Sequence, residues 1–166
     1  MDILAHALWG WAILKKSGKP LLVVLASLLP DFLSFGPHML GSMINGTLEA
    51  GKPALHTLSP YVFSAYNFTH SLVPVAIVFA IVYLIWRSVP LWLYAWPLHV
   101  LIDIPTHSMD FFPTPFLWPF SDLEFNGISW ATPWFMVVNY AGLALVYLWI
   151  FRYGKNTPHL RRKNKA

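Results

Sequence analysis

The sequence predicts an all-α fold: a polytopic helical bundle embedded in a membrane, with a short N-terminal helical hairpin and a metal site toward the outer side. Three observations carry this. Hydrophobic residues make up 57% of the 166 and charged residues only 11%, against roughly a quarter charged in soluble domains. The apolar residues fall into runs separated by Pro, Gly and Lys, and several runs approach the roughly 20 residues that a spanning helix needs. Inside one of the most apolar stretches, His99, Asp103 and His107 recur at steps of four, the spacing of helical neighbours. The length suits one domain, divided as a membrane-embedded helical domain over 1–153 and a basic cytoplasmic tail over 154–166. With no cysteine, disulfides, thiolate metal sites and cysteine nucleophiles are excluded.

Residues 3–14 (ILAHALWGWAIL) form a short apolar run containing His6, and Lys15, Lys16, Gly18, Lys19 and Pro20 mark a turn. Residues 21–36 are apolar again, with Pro30 and Asp31 near the far end. Both runs fall short of a full span, so together they read as a hairpin whose outer ends stop inside protein. Residues 37–60 read as an exposed loop with room for a short amphipathic helix, given Gly36-Pro37, Asn45-Gly46, Gly51-Lys52-Pro53 and Ser59-Pro60. Residues 61–86 are long enough to cross, residues 89–105 make another span, and 128–151 is the clearest one. Between the last two, residues 106–127 set Pro113, Pro115 and Pro119 among Phe111, Phe112, Phe116, Trp118 and Phe120. Such an aromatic loop suits a membrane interface. Within 89–105, Pro105 should kink or end the helix, leaving His107 near Asp103 but differently aimed.

The formal net charge of +4 does not indicate nucleic acid, because the charges are sorted by side. If the first turn is cytoplasmic, Lys15, Lys16, Lys19, Arg87, Arg152, Lys155, Arg161, Arg162, Lys163 and Lys165 are all inside, and only Lys52 is outside. The positive-inside rule then orients the protein with its C-terminus in the cytoplasm. All seven carboxylates, Asp2, Asp31, Glu49, Asp103, Asp110, Asp122 and Glu124, fall toward the other side. Acidic residues weigh little in that rule, so a metal site on the outward side is the cause proposed for them. At 1.5 Å per helical residue, His6 lies roughly 14 Å above Lys15 and Asp31 roughly 17 Å above Pro20. His99, Asp103 and His70 come out about 18, 24 and 25 Å above Arg87. These depths allow one shared cavity.

Chance placement of 7 His and 5 Asp over 166 residues gives about 0.4 His/Asp pairs at helical-neighbour spacing. Three occur: Asp2/His6, His99/Asp103 and Asp103/His107. Ionisable groups inside a membrane segment are costly and mark functional sites by default; the plain alternative is a buried His–Asp hydrogen bond between packed helices. Without thiolates, imidazole and carboxylate suit zinc or manganese. A bound ion lowers the pKa of water and holds a phosphoryl oxygen. The candidate ligands are His6, Asp31, His70, His99 and Asp103, enough for one to two divalent ions, with zinc ahead of manganese. Asp103, which can bridge two ions, His70 and His107 are the candidate catalytic residues. His38, His56 and His159 read as surface histidines, and Asp110, Asp122 and Glu124 as loop carboxylates.

The order His6, Leu28-Leu29-Pro30-Asp31, Thr69-His70-Ser71, His99-x-x-x-Asp103-x-x-Thr106 and Leu117-Trp118-Pro119-Phe120-Ser121 resembles the membrane-bound metal-dependent hydrolases, the family that includes LexA-regulated inner-membrane proteins. The resemblance covers about residues 1–121. One departure stands out: the family pattern His-Arg-x-x-Thr-His-Ser is met here as Ala65-Tyr66-Asn67-Phe68-Thr69-His70-Ser71, without its first histidine, and His107 is the residue placed to compensate. The ligand order is also similar, more weakly, to that of zinc-dependent phospholipase C and P1-type nucleases. The resemblance implies a hydrolase of the prokaryotic cytoplasmic membrane that cleaves a phosphoester of a lipid or lipid-linked substrate through a metal-activated water. The partners expected are membrane lipid and that substrate, with no nucleic acid. The competing readings are a small transporter or metal-permeation protein, and a non-catalytic scaffold with a structural metal.

Overall fold

A computed structural model describes residues 1–48 and 51–153. The expected basic tail, with Lys155, Arg161, Arg162, Lys163, Lys165 and His159, lies outside the described residues, as does Glu49. The regular structure is helical, with no strand among the described residues: α1 (Ile3–Leu14), α2 (Pro20–Ile44), α3 (Pro60–Thr69), α4 (Leu72–Trp86), α5 (Ala95–Thr106) and α6 (Pro133–Tyr153), joined in places by single 3-10 turns. Two of these, α2 and α6, are long and apolar enough to cross a membrane. Helices α3 and α4 qualify together as one span broken by a 58° bend. Helices α1 and α5 have 12 residues each, about 18 Å of rise, and stop short of a bilayer's thickness.

Asp2 starts α1 by accepting a hydrogen bond from the Ala5 amide at 3.0 Å, an N-cap that supplies one of the partners a helix start lacks. Gly10 lets α1 lie close on α2: a Cβ there would sit 2.0 Å from Ser27 Oγ. Trp9 Nε1 donates to Asn139 Oδ1 at 2.9 Å, and the Tyr147 hydroxyl donates to the Leu8 carbonyl at 3.0 Å, fastening α6 along α1. The buried apolar residues form small separate clusters. Leu58, Val62, Tyr66 and Phe112 make one near the site, and Val75, Trp96 and Val100 make another between α4 and α5.

Three expectations change. The second apolar run does not end near Gly36; α2 continues to Ile44 and so is a full-length span rather than a short hairpin arm. Pro37 cannot donate to the Leu33 carbonyl one turn back, and the Tyr61 hydroxyl supplies that bond instead, at 2.7 Å. Residues 61–86 are not one straight helix. The chain leaves α3 at His70, and Ser71 caps α4 by accepting from the Val73 amide at 3.2 Å. Pro74 then falls in the first turn of α4, where a missing N–H costs nothing. Residues 89–105 open as a 3-10 turn over Leu91–Tyr94 before α5 begins, so this segment is too short to be a span by itself.

Candidate metal centre

Helix α5 carries His99 and Asp103 on one face, and it ends as Pro105 predicts, with His107 as its C-cap in extended conformation. The carbonyls freed at this end are taken by the following loop: Gly127, Ile128 and Trp130 amides donate to His107, Pro105 and Thr106 carbonyls at 2.8, 2.9 and 2.9 Å. At the α3–α4 break, Thr69 and Ser71 do local work that leaves His70 facing inward. Thr69 Oγ1 donates to the Ala65 carbonyl at 2.8 Å, and Ser71 Oγ donates to the Trp118 carbonyl at 2.6 Å. The motif around Trp118 therefore serves to hold the turn that presents His70.

His6, Asp31, His70, His99 and Asp103 come together as expected. Two groups whose ligand atoms all lie within 4.8 Å of one another are His6, Asp31, His99 and His70, His99, Asp103. The three histidines and Asp103 are at most 1% exposed; Asp31 is partly open. Asp103 turns its two oxygens in different directions. Oδ2 lies 3.1 Å from His99 Nε2 and 3.6 Å from His70 Nε2, while Oδ1 lies 2.9 Å from His6 Nε2 and 3.4 Å from His107 Nε2. Asp31 Oδ1, of the first group, lies 3.9 Å from His99 Nε2 and 3.5 Å from His70 Nε2 of the second. The Met1 amino group is bonded to Asp103 Oδ1 and lies 3.0 Å from His107 Nε2.

The hydrogen bonds behind the rings determine which nitrogens are free. His99 Nδ1 is 2.7 Å from the Ser27 carbonyl, and His107 Nδ1 is 2.7 Å from the Phe112 carbonyl. A carbonyl only accepts, so each Nδ1 carries the proton and each Nε2 offers a lone pair. His70 Nδ1 meets Thr69 Oγ1 at 3.0 Å and the Tyr66 carbonyl at 3.3 Å, with the same consequence. Such backing bonds orient metal-bound histidines. His6 differs, since its Nδ1 has no hydrogen-bond partner among the described residues; its ring stacks on His99 at 3.6 Å between centroids. His70 Nε2 and His99 Nε2 thus face each other at 3.1 Å with a lone pair on each. A cation between them, a proton or a metal ion, removes that repulsion. The spacing is near the roughly 3.3 Å edge of a tetrahedron built on Zn–N bonds of about 2.0 Å. This buried His/Asp cluster can hold a metal ion.

Tyr66, next to the position where the expected histidine is missing, is not part of the inward-facing set. It stacks on His70 at 3.8 Å, and its hydroxyl donates to the Phe112 carbonyl at 2.9 Å. It supports the rings of the cluster from behind. Phe112 is the residue that sequence reasoning missed. Its φ of 49° is unusual for a non-glycine, and that conformation aims its carbonyl at both Tyr66 and His107. Pairing of Asp2 with His6 is also absent: Asp2 caps α1 and accepts the Tyr140 hydroxyl at 2.7 Å.

A cleft of about 890 Å³ reaches the cluster, with Asp31, Phe35 and His38 along its α2 wall and His107, Lys52 and Trp130 across from them. His38, read as a surface histidine, is therefore a half-buried cleft residue. Asp110, Asp122 and Glu124 lie outside the ligand groups. Burial and neighbouring Asp122 raise the Glu124 pKa. Partial desolvation against its neighbours lowers that of Lys52, which remains exposed, and the charge of Asp110 opposes the shift. Comparisons with protein-family models, with curated proteins and with solved structures found no match, so the functional reading rests on the site.

Proposed function

We propose that the protein is a membrane-embedded metal-dependent hydrolase that cleaves a phosphoester of a lipid or lipid-linked substrate at the outer side of a prokaryotic cytoplasmic membrane. The observation that carries the reading is the pair of Nε2 lone pairs of His70 and His99 facing each other at 3.1 Å beside Asp31 and Asp103, next to a cleft. A divalent ion held there, zinc or manganese, supplies a more acidic water and an electrophile for a phosphoryl oxygen. Asp103 and Asp31 offset the ion's charge, and His70, wholly buried, acts as a ligand rather than a proton carrier. His107 faces the cleft, and its Nε2 is the imidazole nitrogen placed to take or return a proton beside the substrate. The motif order resembling membrane-bound metal-dependent hydrolases supports the same reading.

Access favours an enzyme over a scaffold with a structural metal, since structural zinc sites are closed and catalytic ones keep an open position. Asp31 belongs to the cluster and lines the cleft, and His107, 3.4 Å from Asp103, lines the cleft as well. The test uses protein extracted without chelator and offered a panel of phospholipids and lipid phosphates. Hydrolysis of at least one, lost on chelation and restored by zinc or manganese, is expected. If the metal-loaded protein hydrolyses none, and its loss from cells alters their permeability to metal ions, the transporter reading replaces this one.

A further inference from the structure

Lys52 stands apart from every other described cation. Lys15, Lys16 and Lys19 lie at the α1–α2 turn, Arg87 caps the end of α4, and Arg152 lies in the last turn of α6. Lys52 instead lines the cleft that contains Asp31 and His107. Its direction is set by three contacts: Nζ donates to Ser129 Oγ at 2.7 Å and lies 5.0 Å from the Phe111 ring and 5.5 Å from the Trp130 ring. An ammonium has three donors, and Ser129 takes one. The aromatic faces hold the cation by its charge and leave the other N–H groups open. The side chain is exposed, so an incoming group can reach it.

An anion entering this cleft would meet carboxylates and would need a cation to receive it. Asp2, Asp31 and Asp110 are on this side of the molecule, the first two in the cleft wall, and they repel an approaching anion. A compact ammonium is well matched to a phosphate oxygen. Phe35, Met39 and Leu48 of the same cleft offer apolar surface to whatever the phosphate is attached to.

We propose that Lys52 is the anion receptor of the cleft and binds a phosphate-bearing group in the cavity whose wall includes Asp31 of the His/Asp cluster and neighbouring His107. The proposal rests on the phosphoesterase reading for the substrate class, and on Lys52 and the cleft alone for the site. The other role open to this side chain is that of a clasp, tying the segment after Gly51 to the Ser129 loop.

The test is a phosphorus NMR titration of the full chain in detergent, as purified and after chelation. The probes are inorganic phosphate and dihexanoyl phosphatidic acid, with dihexanoylglycerol, followed by proton NMR, as the probe lacking phosphate. Lys52→Met, which keeps an apolar stem, should weaken binding of the phosphate probes about tenfold or more, the scale of one charge-assisted hydrogen bond. Lys52→Arg should stay within about threefold, since the charge is kept, and dihexanoylglycerol should bind the original chain and Lys52→Met alike. Equal losses for the two phosphate probes indicate a site for phosphate itself. A loss seen with the lipid alone indicates a headgroup site using the apolar wall. Unchanged phosphate binding by folded Lys52→Met overturns the proposal. So does an equal loss in Ser129→Ala accompanied by the same fall in melting temperature, which is the clasp. Lys52-dependent phosphate binding without hydrolysis of any substrate would remove the phosphoesterase reading and keep the anion site. Chelation-sensitive hydrolysis with Lys52→Met binding unchanged would do the reverse.

Discussion

His99 is the residue on which both ligand groups depend, because it is the member they share. Its Nδ1 is committed to the Ser27 carbonyl, leaving one nitrogen for a metal. His99→Ala removes that donor from both groups at once. Protein extracted without chelator is expected to carry roughly one to two equivalents of zinc or manganese, the number these His and Asp ligands can support. The variant should lose most of it and melt at a lower temperature, since an ion that binds only the folded state stabilises it. Unchanged metal content by elemental analysis would remove His99 from the site. Asp103→Asn is subtler. The amide keeps the size and one oxygen but loses the charge that its four histidine neighbours face. Changes behind a metal ligand cost about 10–100-fold, so replacing this carboxylate should lower turnover at least about 100-fold with the helices still folded. Retained hydrolysis in the variant would place the chemistry elsewhere. Spacing singled out both residues, steps of four in an apolar run, and left a plain buried His–Asp hydrogen bond as the other reading; the remaining His and Asp residues along the chain favoured a shared site. The carbonyls that aim them were not legible in this way. Ser27 and Phe112 act through backbone oxygen, which every residue possesses, so no side-chain pattern announces them.

Proline punctuation is where the elements departed from expectation. Pro105 ended α5 as predicted, and its neighbour His107 was turned toward Asp103 as a result. Pro30 and Pro37 lie inside α2 and did not end it, since Tyr61, remote in sequence, satisfies the carbonyl that Pro37 leaves open. A local rule reads the missing donor and cannot read a substitute from another helix. The α3–α4 break follows the same logic in reverse: it is made by Ser71 and the Trp118 carbonyl, 47 residues apart. Close approach between elements is equally hidden in sequence and gives a direct test. A Cβ on Gly127 would lie 2.4 Å from the Pro105 carbonyl oxygen and 2.7 Å from that of His107. Both are backbone atoms that cannot rotate aside. Gly127→Ala should destabilise the fold by about 1–3 kcal/mol or more, the usual cost of overpacking, and should lower metal content by displacing His107. Gly41→Ala, inside α2 with nothing within 4 Å of the added atom, should instead stabilise by up to about 1 kcal/mol through helix propensity. Thermal melts of the two variants in one detergent decide the matter; similar melting temperatures would mean that the loop at Gly127 yields freely.

At the scale of the molecule, charge and depth agree on an orientation. Lys15 Nζ lies 5.2 Å from the Trp149 ring, which brings the α1–α2 turn to the same end as Arg152. Leu14 and Trp92 join Val23, Ala26 and Ala95 in one cluster, placing the start of the α5 segment at this end too. The His/Asp cluster lies away from that end: Asp31 is about 17 Å along α2 from Pro20 at the helical rise, and α2 runs about 20 Å further to Ile44. The basic end is expected in the cytoplasm by the positive-inside rule, and the cleft with Lys52 and His56 on the other side. The chain has no cysteine, so single introduced thiols report side without background. His56 and Ser88 are both exposed and outside the site. His56→Cys should react with a membrane-impermeant maleimide in intact cells. Ser88→Cys, next to Arg87, should react only once the cells are permeabilised, and a reporter fused after Ala166 should behave as cytoplasmic. The reverse labelling pattern would turn the molecule over and open the cleft, with its His/Asp cluster, to the cytoplasm.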